Sequence, residues 1–172
     1  MKNKAKNWFE GLRNNLVKMI EDHDGAKFKV KQWKHSGKGG GTMSVIKGNV
    51  IEKGGVNFSH VLGETMPSAA TAKRPELLGA SWEAMGVSLV IHPENPHVPT
   101  AHMNVRFFSA KKESSETWWF GGGYDLTPYY GYADDCNHWH STAKKVCDEF
   151  SEDLYKKLCL LYTSDAADDS LR

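Results

Sequence analysis

The stretch that decides the fold is Gly86-Val87-Ser88-Leu89-Val90-Ile91-His92, followed by Pro93-Glu94-Asn95-Pro96-His97-Val98-Pro99 and then Thr100-Ala101-His102-Met103-Asn104-Val105-Arg106-Phe107-Phe108. Two β-prone runs flank a connection that three prolines make stiff and non-helical, so the pair reads as antiparallel strands. Side chains alternate faces along a strand, so residues of equal parity share a face. The odd residues are Val87, Leu89 and Ile91, then Met103, Val105 and Phe107; the even ones include Ser88 and His92, then His102, Asn104 and Arg106. A register that unites the apolar sets puts Ser88, His92, His102, Asn104 and Arg106 on one surface and packs the apolar set against helices. The polar surface reads in two ways. An antiparallel sheet commonly keeps one solvated face, but such faces mostly carry Lys, Glu, Thr and Ser. Two imidazoles, an amide and a guanidinium also suit a site in which Arg106 binds a carboxylate and a nearby histidine moves protons.

Outward from that hairpin, residues 6–22 show apolar residues Trp8, Leu12, Leu16, Met19 and Ile20 at helical spacing, and Glu21–Gly25 ends the helix. From Lys27 the pattern becomes strand-like, with Phe28, Val30 and Trp33 among lysines. Glycine-rich turns then separate runs at Thr42–Ile46, Asn49–Glu52 and Val56–Leu62, which predicts an antiparallel meander. Gly63–Ala80 reads as loop with one helical turn. Thr117–Phe120 and Tyr124–Leu126 are expected to pair around Gly121-Gly122-Gly123. From Asp134 the period is helical again: Cys136, Trp139, His140, Ala143, Val146, Cys147 and Phe150 form a stripe, with Asp134 or Asp135 as N-cap. There is no internal repeat and no linker.

With 172 residues, 40% of them apolar, the chain suffices for one domain with a core, and a net charge of +1 points to neither nucleic acid nor an anionic membrane as partner. No apolar run is long enough for a transmembrane segment. The basic N-terminus lacks the apolar stretch and cleavage site of a secretory signal. Three cysteines (Cys136, Cys147, Cys159) without a C-x-x-C pair argue against a disulfide framework or structural zinc, so a soluble cytoplasmic protein is expected. Ser36-Gly37-Lys38-Gly39-Gly40-Gly41-Thr42 resembles a phosphate loop but has Gln32 and Gly39 where that motif needs Gly and Ser or Thr; it reads as a turn.

Two further segments are candidates. In Trp118-Trp119-Phe120-Gly121-Gly122-Gly123-Tyr124-Asp125-Leu126-Thr127-Pro128 the glycines allow close approach of a ligand, the aromatics offer flat surfaces and Asp125 can accept N–H bonds; a glycine hairpin over an aromatic minicore is the simpler reading. In His138-Trp139-His140, His140 lies on the apolar stripe and is expected to point inward, as a satisfied core residue or a ligand. His23, His35, His60 and His97 receive no role.

These residues resemble a known family. Gly54-Gly55-Val56-Asn57-Phe58-Ser59, Glu64-Thr65-Met66-Pro67, Arg74-Pro75-Glu76-Leu77, Gly86 through Pro93, Asn104 through Phe108 and Trp118 through Pro128 are together similar to oxygen-dependent coproporphyrinogen III oxidase, from about Trp8 to about Tyr155. The resemblance implies an α+β fold, one large antiparallel sheet flanked by helices on both faces, working as a homodimer. It implies that coproporphyrinogen III and molecular oxygen give protoporphyrinogen IX, carbon dioxide and water, in haem biosynthesis, with no organic cofactor. Position by position, Ser88, Asn104, Val105 and Arg106 match substrate contacts, His102 the proton donor, and Asp125 the carboxylate for the pyrrole N–H groups. His92, His102 and His140 match three of four histidines described as ligands of a divalent metal in bacterial members. The macrocycle has four carboxylates, which suits an apolar cleft with a few placed cations.

The pattern is not followed to the end. After Tyr155 the family leads one to expect a lysine- and tryptophan-containing run, a fourth histidine, a glycine-rich strand and a dimer-forming region, whereas Leu160–Arg172 resembles none of these. Residues 1–158 are therefore expected to be the N-terminal portion of a single domain and 159–172 a non-native tail. Such a chain would expose strand edges and is expected to be poorly stable and inactive. Two other functions fit fewer residues: a tetrapyrrole-binding protein that is not an enzyme, and a hydrolase using a metal on His92, His102 and His140.

Overall fold

The computed structural model describes residues 1–66, 71 and 74–163, and the chain divides into two units, Met1–Tyr129 and Tyr130–Arg172. The first holds helix α1 (Lys2–Asp24) and six strands: β1 (Lys29–Lys34), β2 (Lys38–Ile46), β3 (Ile51–Gly63), β4 (Ser81–Pro93), β5 (Thr100–Lys112) and β6 (Ser115–Thr127). They form one sheet in the order β1 to β6, every neighbouring pair antiparallel, which is the expected meander within an α+β fold.

Pairing of β4 with β5 sets Val87 opposite Val105, Leu89 opposite Met103 and Ser88 opposite Asn104. Opposed residues share a face, so the parity arithmetic holds. The odd residues of both strands, with Val56 and Phe58 of β3, pack under α1 through its Ala5, Phe9, Leu12, Leu16, Val17 and Ile20. Within α1 the expected stripe needs correction. Trp8 and Met19 are each 60% exposed, because a residue adjacent to Phe9 or Ile20 sits a quarter-turn off the buried line. The helix also extends beyond 6–22 and closes on Gly25 (φ 85°), whose N–H donates to the Glu21 carbonyl.

Two glycine clusters read as turns lie inside strands. Gly54-Gly55 is within β3, which joins the two short runs on either side, and Gly121–Gly123 is within β6. In β6 a Cβ on Gly122 would crowd the Asn104 carbonyl, so close backbone approach explains that glycine. The true β5–β6 turn is Glu113-Ser114, with Glu113 left-handed at φ 54°. The β2–β3 connection is held by the buried Asp24. Its carboxylate accepts the N–H groups of Ala26, Asn49, Val50 and Ile51, and the Asn49 amide donates to its carbonyl. The bonds from Val50 and Asn49 hold this carboxyl below the usual range.

The second unit holds α2 (Ala133–Asp148) and α3 (Leu154–Thr163). Tyr132, not Asp134 or Asp135, is the N-cap of α2 and makes no side-chain cap bond; both aspartates fall in the first turn, where they complement the helix dipole. Trp139, Ala143 and Cys147 are half-buried, whereas Phe150 lies beyond the helix. Helix α3 runs through 159–163, and residues 164–172 of the expected tail lie outside the described residues.

Candidate functional site

The polar residues fall in rows across the face of the sheet opposite α1. In one row Ser59 opposes Gly86, Gly86 opposes Arg106, and Arg106 opposes Gly121. In the next, Asn57, Ser88, Asn104 and Gly123 oppose one another in turn. In a third, Gly55, Val90, His102 and Asp125 do so. Beyond these lies His92, with Nδ1 3.4 Å from the Thr100 hydroxyl. Ser88, His92, His102, Asn104, Arg106 and Asp125 are thereby brought to one face.

His102 Nδ1 lies 3.0 Å from Asp125 Oδ2. A carboxylate only accepts, so Nδ1 donates and the bond fixes the ring with Nε2 left for a ligand. Arg106 is exposed, and its guanidinium lies over Gly121: a Cβ there would stand 3.2 Å from Arg106 Nε. Asn104 presents a buried Oδ1 with no hydrogen-bond partner among the described residues. Val105 is turned the other way. Its side chain packs toward α1, so only its main chain could meet a ligand on the open face.

The same face ends in an aromatic group. Trp82, Phe108 and Trp119 stack with centroids 6.0 and 4.6 Å apart over Met66, Leu77, Ala80 and Ala110, and the Arg74 guanidinium sits 4.5 Å from the Trp119 ring centre. Trp118 and Phe120 project to the opposite side, against Phe107. The aromatics of the glycine-rich segment thus divide between the two faces.

His140 belongs to the second unit. It is exposed, contrary to the inward orientation expected from the stripe, and its Nδ1 lies 2.8 Å from the Tyr155 hydroxyl. Among the described residues no three His, Cys, Asp or Glu side chains are grouped to hold a metal; of the expected ligands, His92 and His102 lie in the first unit and His140 in the second.

Two polar residues on the open face escaped the reading of the sequence: Asn57 and Ser59. The signal was present, because Val56 and Phe58 alternate with them just as the apolar and polar residues alternate in β4 and β5.

Fold and face together define an α+β protein whose sheet carries an aromatic end beside guanidinium, amide and imidazole groups. Such a surface is suited to a flat ligand bearing carboxylates. The profile of the coproporphyrinogen III oxidase family matches residues 4–162, and the chain belongs to that family. It is thus an oxidoreductase family of haem biosynthesis with a porphyrinogen substrate. No helix among the described residues is long and apolar enough to cross a membrane.

Proposed function

We propose that the open face binds coproporphyrinogen III for oxygen-dependent oxidative decarboxylation of two propionates to vinyl groups, giving protoporphyrinogen IX. In each arm the β-carbon loses a hydride equivalent and the carboxylate leaves as carbon dioxide. Two arms release four electrons and two protons, which with two further protons reduce one oxygen molecule to two water molecules. The observation that carries this reading is the presence, on one face, of a carboxylate-fixed imidazole at His102 and of a guanidinium at Arg106 that is unpaired among the described residues.

Arg106 holds a propionate through charge-assisted bonds. Ser88 and Asn104 line the same surface, and the orphan Asn104 Oδ1 is an acceptor for a pyrrole N–H. Asp125 orients His102 and offers its remaining carboxylate capacity to a pyrrole N–H, while His102 Nε2 handles a proton at the reacting arm. The family resemblance carries His92, His102 and His140 into this proposal as ligands of a divalent metal, and no step is routed through it. The family resemblance also carries a homodimer and a cytoplasmic setting into this proposal.

The test is product analysis after incubation of the full-length enzyme with coproporphyrinogen III in air and under argon. Protoporphyrinogen is expected in air only, and Asp125→Ala and Arg106→Ala are each expected to lower the rate by orders of magnitude, about 10²–10⁴-fold for a lost proton-transfer group. Equal product under argon would overturn the oxygen dependence. Near-normal rates in both variants would overturn the site.

A further inference from the structure

Between β3 and β5 the polar face dips into a hollow of about 200 Å³ lined by Asn57, Ser59, Gly86, Ser88, Asn104 and Arg106. Gly86 lies between Ser59 and Arg106, directly opposite each, and so forms its floor. A Cβ on Gly86 would stand 2.5 Å from the Val105 carbonyl and 3.1 Å from Arg106 Cβ, so a larger residue would both spread the strands and fill the hollow.

The Asn57 amide is oriented. Its Oδ1 accepts the Ser44 N–H at 3.2 Å, and a backbone N–H can only donate, so the oxygen is committed to β2. The Nδ2 group is then a directed donor, and it makes no hydrogen bond among the described residues. The Ser59 and Ser88 hydroxyls and the Arg106 guanidinium are also without partners among the described residues. A cation, a fixed amide donor and hydroxyls converging on a glycine floor form a donor-rich concavity matched to a carboxylate.

We propose that Asn57 and Ser59 complete a carboxylate subsite with Arg106, so that one propionate of the substrate is held from β3 as well as β5. The inference rests on the assignment of this face as the porphyrinogen site. It makes Asn57 a specificity-determining residue: the amide rewards an anionic arm and gains far less from an ester.

The experiment is fluorescence titration of the protein with coproporphyrin III and with its tetramethyl ester, using Asn57→Asp, Ser59→Ala and Arg106→Ala. Asn57→Asp retains an acceptor for the Ser44 N–H but replaces the donor with an anionic oxygen, so melting curves are expected to match those of the unaltered protein. Affinity for the tetra-acid is expected to fall about 10–100-fold in Asn57→Asp, the loss of a bond to a charged group, and several-fold in Ser59→Ala. Affinity for the ester is expected to change little in either. Asn57→Leu is the second variant, and loss of acid binding there without loss of ester binding is also expected. Tetra-acid binding weakened by Arg106→Ala but untouched by both Asn57 variants would overturn this inference alone. Tetra-acid binding untouched by Arg106→Ala would overturn the porphyrinogen site itself, and this inference with it.

Discussion

Glu83 on β4 should be among the most stabilising polar residues of the first unit, and Glu83→Ala measures by how much. Its carboxylate, 15% exposed, lies 2.7 Å from His60 Nε2 on β3 and 3.0 Å from Lys2 Nζ on α1, while Lys2 also reaches Glu116 on β6 at 2.6 Å. One side chain therefore ties the start of α1 to the strands beneath it. The Lys2 pair is solvent-exposed, contributes about 0–1 kcal/mol, and leaves Lys2 with Glu116 when removed. The His60 bond is mostly buried and engages a charged acceptor, so its loss costs about 1.5–3 kcal/mol. The sum is roughly 1.5–4 kcal/mol, which at an m-value of about 2 kcal/mol/M lowers the urea midpoint by about 0.8–2 M. Burial pushes the Glu83 carboxyl up, but the bonds from His60 and Lys2 outweigh it and hold the group below the usual range. A depressed carboxylate contributes stability that is full above its unfolded pKa, about 4.3, and is lost as pH falls through the folded value. The difference between the unaltered protein and Glu83→Gln should accordingly be constant near neutrality and shrink below about pH 4.3. Urea unfolding followed by tryptophan fluorescence and circular dichroism measures both effects. A cost under about 0.5 kcal/mol, the scale of an ordinary surface change, would refute the account.

Gly48→Ala should lower the melting temperature by several degrees, because the added Cβ would collide with the Asp24 carboxylate that clamps the β2–β3 connection; an unchanged melting curve would show that the clamp is dispensable. Asp24→Asn should be destabilising at neutral pH and approach the unaltered protein as pH falls below the usual carboxylate range, since the depressed carboxyl loses its contribution on protonation. Glu113→Asn should stabilise by about 0.5–1 kcal/mol, as asparagine tolerates the left-handed backbone of the β5–β6 turn better than glutamate; a lower denaturation midpoint would contradict that. Phe107→Ala should cost about 3–5 kcal/mol in the same assay, because the ring is 1% exposed beneath α1.

The faces of the hairpin were legible in the sequence because a strand has period two and, Val90 and Phe108 apart, both runs alternate apolar and polar residues. Register followed from hydrophobicity alone: a slip of one residue would have carried Val87, Leu89 and Ile91 off the α1 face. Strand ends were less legible. Gly54-Gly55 and Gly121–Gly123 look like turns on local propensity, whereas the sheet uses Gly54 as a bare position against the Ile46, Ile51 and Ile91 side chains, Gly121 beside the Arg106 guanidinium and Gly122 beside the Asn104 carbonyl, tertiary reasons with no local signature. Glu113 gave the opposite error, since a charged residue does not announce a left-handed turn. Among the candidate site residues, His102 and Arg106 were placed on one face by parity, and Asp125 was suggested by its segment, but its bond to His102 depends on β6 pairing through the glycines, where the sequence suggested two separate strands. His140 was placed on an inward stripe because its neighbours Trp139 and Ala143 are apolar; the structure turns it outward to Tyr155.

The glycines of the open face also explain how one sheet can be stable and receptive at once. Gly41, Gly55, Gly86, Gly121 and Gly123 all lie on the side away from α1. Each costs roughly 0.5–1 kcal/mol relative to alanine within a regular element, about 2.5–5 kcal/mol together. On the other side, Phe9, Ile46, Val56, Met85, Val87 and Phe107 are buried almost completely. At about 1.5–3 kcal/mol for each such side chain, their burial exceeds the glycine cost several-fold before chain entropy is counted. The alternation that sends apolar residues to α1 thus lets the other face remain low and open around Arg106 and His102. Filling it should trade access for stability: Gly55→Ala, whose Cβ would meet only Asn57 Nδ2 at 3.6 Å and the Ser44 carbonyl at 3.7 Å, should leave the denaturation midpoint equal or higher while weakening coproporphyrin III binding. Weaker folding with unimpaired binding would mean that this glycine serves the sheet and not the ligand.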